Sequence, residues 1–318
     1  MPLIPGVHAN LSESYYFKDP ALSASETIDL LSGMSPAKFI ARRNKGGKRT
    51  AALEFGRLAH RIIIEGKAVE HEVRKPRKVE VLYHEPRSPN SNKLFWNTGE
   101  PLMLTGKLAQ VARMKEALQA HPFAMAPFSH GGEPEVTLVW DDEATGVRCR
   151  ARLDWRPPEG YQFFADYKTT LSLRAEDIDR AIERYRYHVR AAHYLDGIRA
   201  CGLHPDPRYL IVFQEKEPPF EVEVVEIDPD DLIWGRIEMG WARAVFAQCQ
   251  TTGVWPPSGA FKKWRRDGQW PAAGQDEVSR AGLPFWARRR REAEHEAAAF
   301  STDFLRREAI RHQAPLDR

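Results

Sequence analysis

The order of periodicities between residues 135 and 245 constrains the fold most. Three segments carry the two-residue period of strands: Glu135–Trp140, Val147–Trp155 and Gln162–Lys168. Turn chemistry separates them, at Asp142–Gly146 and at Pro157–Gly160. A long helical pattern follows from about Ala175 to Cys201. Two more strands come next, Tyr209–Gln214 and Glu221–Ile227, with Pro218-Pro219 between them. A helix then starts after Asp228-Pro229 and carries Leu232, Ile233, Ile237, Trp241 and Val245. Strands, one helix, then strands again predict an α/β core: a central mixed β-sheet flanked by helices.

Ahead of this core the chain reads as helical. Ser23 or Ser25 can cap a short helix through Leu31, closed by Gly33, and Ser35-Pro36 opens another that runs into the basic loop Asn44–Arg49. Thr50 caps a longer helix to about Glu65, ended by Gly66, with Leu53, Phe55, Leu58, Ile62 and Ile63 as its core stripe. Residues 67–104 are polar and proline-containing and read as an irregular or short-stranded insertion, followed by an amphipathic helix from about Leu108 to Ala120. After Thr251 the chain is rich in Gly, Pro, Trp and Arg: an appendage, a partner-binding helix or a partly disordered tail.

Composition closes off several classes. The 318 residues are 42% hydrophobic, enough for a core and against global disorder. No apolar run approaches the ~18 residues of a membrane helix, and the first residues lack the basic-then-apolar order of a signal peptide. Three scattered cysteines, Cys149, Cys201 and Cys249, exclude a disulfide framework and four-cysteine metal sites, and a reducing cytoplasm is the expected compartment. Net charge is only +3, but arginine is more than twice as frequent as lysine. Genomic base composition explains that as readily as phosphate recognition by guanidinium does.

The chemistry concentrates in two strands. Alternation puts Asp166 and Lys168 on one face with Phe164, and Phe163, Ala165 and Tyr167 on the other. In the preceding strand Asp154 shares a face with Arg150 and Arg152, against Cys149, Ala151 and Leu153. If the two strands form a hairpin, Asp154 and Asp166 converge at one end. Two carboxylates supply hard oxygens for Mg²⁺, and a lysine two residues on can stabilise charge at a phosphate under attack. Asp-x-Lys alone is more often a surface ion pair; the second aspartate is what weighs against that.

These residues resemble the PD-(D/E)XK nuclease superfamily, in Asp154 followed by Asp166-Tyr167-Lys168. The wider text resembles its RecE-type (exonuclease VIII) branch. Phe55-Gly56-Arg57-Leu58-Ala59-His60 is similar to that branch's Gly-x-x-x-His helix, and Ser35-Pro36-Ala37-Lys38-Phe39 to its N-terminal helix. Glu135–Trp140 with Thr145–Arg150 resembles the strand pair leading to the first aspartate, and Tyr185–Val189 with Tyr194 resembles the helix after the catalytic strand. The resemblance implies a restriction-endonuclease-like core. It covers a nuclease domain over 1–250, made of an N-terminal helical region over 1–66, an insertion over 67–104 and a catalytic core over 105–250. Residues 251–318 would be a basic, Trp/Arg-rich appendage.

The resemblance also implies roles. His60, Asp154 and Asp166 would hold one or two Mg²⁺ or Mn²⁺ ions, with the Tyr167 carbonyl as a further ligand and Glu135 as the additional acid, preferred over Glu133 by its offset to Trp140. Lys168 would be the catalytic lysine and Tyr194 the tyrosine of a Gln-x-x-x-Tyr motif. Arg190 stands where that motif has glutamine. It lies one turn before Tyr194 on the same helix face and can grip a phosphate, but it cannot accept a hydrogen bond. Arg42, Arg43, Lys45, Lys48 and Arg49, just before the His60 helix, are the DNA-backbone or end-phosphate candidates, and Lys262–Arg266 with Trp270 a less specific one. His188 and His193 read as helix-surface residues, Tyr185 and Tyr187 as packing residues, and the Arg148, Arg150, Arg152 stripe as a solvated strand face unless it balances the carboxylates. The implied activity is a double-strand-end exodeoxyribonuclease, 5′ to 3′, that leaves single strands for a recombinase or annealing protein in a phage or prophage setting and can form a homo-oligomeric ring. An endonuclease and a catalytically silent DNA-binding module are the rival readings.

Overall fold

A computed structural model describes residues 2–45, 50–66, 101–129, 131–267, 270 and 289. Lys48, Arg49 and nearly all of the 67–104 insertion lie outside these residues.

Short elements open the chain: β1 (Gly6–His8), α1 (Glu13–Lys18) and β2 (Leu22–Ser23). Three helices follow, α2 (Ala24–Leu31), α3 (Pro36–Lys45) and α4 (Ala51–Ile63). Ser23, not Ser25, caps α2, in a capping box with Glu26. Helix α5 (Pro101–Ala120) begins well before the expected Leu108, so the expected insertion ends inside a helix. After α6 (Ala126–Ser129) come β3 (Glu133–Asp141), β4 (Arg148–Arg156) and β5 (Phe163–Thr170). Then follow α7 (Ala175–Tyr185), α8 (Tyr187–Ala200), β6 (Arg208–Glu215), β7 (Val222–Glu226), α9 (Pro229–Thr252) and α10 (Ser258–Asp267).

The strands form two mixed sheets, ordered β1-β3-β4-β2 and β5-β6-β7. β3 and β4 pair antiparallel from Glu133↔Arg156 to Asp141↔Arg148. β5 and β6 pair parallel, from Phe163↔Arg208 to Thr170↔Glu215, and α7–α8 make the crossover that parallel pairing requires. The step from β4 to β5 is therefore not a ladder-bonded hairpin: the two strands belong to different sheets.

Burial explains the strand text. One core packs Leu138, Cys149, Ala151, Leu153, Phe164, Ile211 and Phe213 against residues of α2, α3, α8 and α9. A second packs Ala165, Tyr167 and Val212 against Phe55, Leu58 and Ile63 of α4 and Val111, Met114 and Leu118 of α5. β5 and β6 are thus covered on both faces, as their nearly unbroken apolar runs require. Leu53, expected in the α4 stripe, is 50% exposed.

The arginine face of β4 is not solvated. The N-terminal segment lies over it: Arg150 and Arg152 stack on the Tyr16 ring at 4.9 and 4.2 Å. Arg150 donates to the carbonyls of Asp19 and Ala21, and Arg152 to that of Leu11 at 3.1 Å. The expected 175–201 helix is broken at Arg186, whose φ of 50° is left-handed. Its guanidinium holds Glu238 of α9 at 2.7 and 2.9 Å. His188 and His193 are both buried, against the surface reading, whereas Tyr185 is half exposed.

The start of the expected appendage packs with the core. Trp255 stacks on Phe39 at 6.0 Å and meets Phe246 edge-on, the Ala37 N–H donates to the Pro256 carbonyl, and Phe261 of α10 is buried against Val245 and Cys249. Among the described residues no helix is long and apolar enough to cross a membrane.

Candidate active site

Three elements meet where β4 of one sheet lies against β5 of the other. α4 brings His60: Thr50 caps the helix, and its buried face lies on β5, where a Cβ at Gly56 would sit 3.7 Å from Thr169 Oγ1. His60 is one turn beyond Gly56, on the same side. β4 brings Asp154, and β5 brings Asp166 and Lys168.

Asp154 closes the gap between the sheets. Its Oδ2 accepts the Tyr167 N–H at 2.8 Å, and its Oδ1 lies 3.1 Å from His60 Nε2. Glu135 sits opposite Asp154 on β3, bracketed by the pairs Pro134↔Trp155 and Val136↔Leu153. Its φ of 57° is left-handed, a cost of about 1–3 kcal/mol for a non-glycine residue. The kink turns its carboxylate toward the site: Oε1 is 3.5 Å from His60 Nδ1, and Oε2 is 3.4 Å from the Arg152 guanidinium. Arg152 thus balances carboxylate charge. Asp166 is ion-paired to Lys168, whose Nζ also donates to the Tyr167 carbonyl at 3.3 Å. The Tyr167 side chain turns away, to Gln214 Oε1 at 2.6 Å.

The charges respond to one another. Burial alone would lower the His60 pKa, but Asp154, Glu65 and Glu135 together push it up to about 10. Burial raises Asp154 less than His60, Lys168 and the Tyr167 N–H lower it, so its pKa falls well below the usual carboxylate range. Burial holds Asp166 and Glu135 above that range despite Lys168 and His60. Lys168 is raised, because Asp166 and Asp154 outweigh its own desolvation.

Of the residues read from the sequence, the structure brings together His60, Glu135, Asp154, Asp166, Lys168 and the Tyr167 carbonyl. It adds Glu65, which the sequence reading passed over: His60, Glu65 and Glu135 each offer a ligand atom within 4.8 Å of the others. A divalent cation fits this donor set. His60 Nε2 and Asp166 Oδ2 are buried without an aligned hydrogen bond, and hard carboxylate oxygens surround one imidazole.

Arg190 reaches the same place from α8. It feels the Asp166 charge, its Nη2 donates to Ser25 Oγ at 3.3 Å, and its Nε is buried without a hydrogen bond. Tyr194, one turn on, is buried beside Tyr209 at 5.3 Å. The basic residues before α4 divide. Arg43 is spent inside the protein, on Glu26 at 3.0 Å, on the carbonyls of Pro20 and Ala21 and over the Phe246 ring, which corrects its reading as a DNA contact. Arg42 stays half exposed and pairs with Asp29. Lys262 is exposed on α10, and Arg265 lies over Trp241 at 5.0 Å.

Residues 23–262 match the family described as "PDDEXK-like domain of unknown function (DUF3799)". The chain belongs to this family. Its fold is the PD-(D/E)XK nuclease fold, an α/β architecture of mixed sheets flanked by helices. A crystal structure described as "Putative exonuclease" from Eubacterium rectale superposes with a TM-score of 0.55 at 13% identity, over 87% of this chain and 97% of that one. A second solved structure, described as SSO0001, gives a TM-score of 0.26 at 14% identity, over 45% of this chain and 62% of that one, and carries no weight. No curated protein matches the chain by sequence.

Proposed function

We propose that the protein is a divalent-metal-dependent deoxyribonuclease of the RecE type that degrades double-stranded DNA from its ends. The observation that carries this reading is the convergence of His60, Glu135 and Asp154 beside the Asp166–Lys168 pair. His60, Asp154 and Asp166 would hold Mg²⁺ or Mn²⁺, one ion or two, with Glu135 and the Tyr167 carbonyl as further donors. Such an ion neutralises phosphate charge and polarises the scissile bond. Lys168, kept charged by two aspartates, stabilises the extra negative charge that develops on the phosphate under attack. Arg190 adds a second cation for a phosphate oxygen.

Action at ends, 5′ to 3′ polarity, a ring-shaped homo-oligomer and delivery of single strands to a recombinase or annealing protein rest on the RecE-type resemblance. The similar Eubacterium rectale structure, described as a "Putative exonuclease", is in keeping with it. We place the reaction in the cytoplasm, in keeping with three free cysteines.

Linear and closed circular duplex DNA, each with Mg²⁺, Mn²⁺ or EDTA, test the proposal. Metal-dependent loss of the linear form alone is expected. Nicking of circles would move the assignment to an endonuclease, and binding without cleavage would leave only a DNA-binding module.

A further inference from the structure

We propose that Glu65 is a positioning residue for His60: its carboxylate accepts a hydrogen bond from Nδ1–H, which keeps the proton on that nitrogen and leaves Nε2 free to bind a divalent cation beside Asp154. This rests on the metal-site reading above.

The two ring nitrogens of His60 face different carboxylates. Nε2 faces Asp154 at 3.1 Å, while Nδ1 faces Glu65 at 3.6 Å and Glu135 at 3.5 Å. An imidazole that binds a cation through one nitrogen keeps its proton on the other, and the acceptor of that proton sets the tautomer and the ring orientation. Two carboxylates compete for this task, and the backbone separates them. Glu135 is turned into the site by its left-handed φ, directly opposite Asp154, and shares its second oxygen with Arg152. Its charge is thus divided between Nδ1 and the Arg152 guanidinium.

Glu65 is tied to His60 itself. α4 ends with the N–H groups of Ile64 and Glu65 both bonded to the His60 carbonyl, at 2.9 and 3.2 Å. Gly66, with φ of 63°, turns the chain away at that point. The helix end therefore holds the Glu65 carboxylate beside the ring of the residue whose carbonyl it caps. Its side chain is only 13% exposed, so water competes little for the same nitrogen. The 3.6 Å separation is an ion-pair contact, and a shift of roughly half an ångström makes it a hydrogen bond.

Calorimetric titration of wild type, Glu65→Ala and Glu65→Gln with Mn²⁺ tests this, alongside ¹⁵N NMR of the His60 ring in the Mg²⁺-loaded proteins. Glu65→Ala is expected to weaken Mn²⁺ binding about 10- to 100-fold and to mix the two tautomers. Glu65→Gln, whose amide oxygen still accepts a hydrogen bond, should recover most of the affinity and the single Nδ1–H form. Wild-type affinity in Glu65→Ala overturns the positioning role and leaves the metal site standing. Equal loss in both variants with fewer ions bound makes Glu65 a direct ligand instead. If wild type binds no Mn²⁺, the metal-site reading falls and this inference with it. Should Glu65→Ala fail to fold, Glu65→Leu, which fills the space without accepting a hydrogen bond, takes its place with the same expected loss and the same overturning result.

Discussion

Two cations face the buried Asp166 from different elements. Lys168 shares its strand and pairs with it directly, while Arg190 arrives from α8, anchored on Ser25. The Arg190 Nε is buried without a hydrogen bond, as are those of Arg150 and Arg243, but Arg190 alone of the three faces Asp166, and a guanidinium pairs readily with a phosphate oxygen. Arg190→Gln restores the residue type of the resembled motif but removes the charge. It is expected to weaken DNA binding about tenfold or more, the loss of one charge-assisted bond of about 1.5–3 kcal/mol, without weakening Mn²⁺ binding, since a cation beside Asp166 has been removed. Fluorescence anisotropy on duplex ends, with calorimetry for Mn²⁺, checks both halves, and unchanged DNA affinity would remove Arg190 from the interface. Residue by residue, strand alternation singled out Asp154, Asp166 and Lys168 because each sits in a periodic segment whose face can be counted, while His60 and Glu135 were pointed to only by the RecE-type resemblance. Glu65 escaped because a five-residue offset does not share a face in a regular helix; only the irregular last turn folds it back. An acid directly before a helix-ending glycine was the available signal. Arg43 misled for the opposite reason, since sequence shows its charge but not the carbonyls of Pro20 and Ala21 that consume it.

The elements around the site depend on close helix contact. α9 crosses α8 at Gly235, where an added Cβ would lie 2.5 Å from the His188 carbonyl oxygen, a backbone atom that cannot swing aside. At Gly240, on the same helix, a Cβ meets nothing within 4 Å. The two substitutions should therefore differ in sign. Gly235→Ala is expected to destabilise by about 1–3 kcal/mol through overpacking, and Gly240→Ala to stabilise by about 0.5–1 kcal/mol through helix propensity. Urea denaturation of the two variants measures this, and equal midpoints would show that the α8–α9 contact is looser than described. Strands and most helices were legible from period and caps. The break at Arg186 was not, because nothing in an arginine signals a left-handed φ; the interaction that holds it there is tertiary, with Glu238. β1, α1 and β2 went unread because elements of two to six residues carry too few repeats to show a period.

At the scale of the molecule, a buried charge network ties the core to pH. His193 is fully buried, with Nε2 3.0 Å from the Arg150 carbonyl and Nδ1 3.2 Å from an Arg243 guanidinium nitrogen. Arg243 in turn pairs with Asp142 and Asp196. Nδ1 must accept and Nε2 donate, which is the neutral ring. Burial and the Arg243 charge hold the His193 pKa well below its ordinary value. The unfolded chain takes up this proton as pH falls through about 6.5 and the folded chain does not. Stability is therefore complete above that pH and falls below it, by up to about 1.4 kcal/mol per pH unit until the folded pKa is reached. His193→Gln, whose amide can make both hydrogen bonds without titrating, should lose that slope in melts between pH 7 and 5; an unchanged slope would place the acid sensitivity elsewhere. What the text could not show at this scale is how pieces combine. The expected single sheet is two sheets with the site at their junction, and residues 253–267 join the core through Trp255 and Phe261. Such contacts join residues far apart in sequence, and no local period announces them.

The proposed activity is DNA cleavage at this junction with a bound divalent ion. The most direct measurement follows Mg²⁺-dependent degradation of linear duplex DNA by wild type, Lys168→Ala and Asp154→Asn, with circular dichroism to confirm that all three are folded. Degradation by wild type that EDTA stops is expected, with rates lower by at least about 100- to 1,000-fold in both variants. Folded variants that degrade the duplex as fast as wild type would contradict cleavage at this junction.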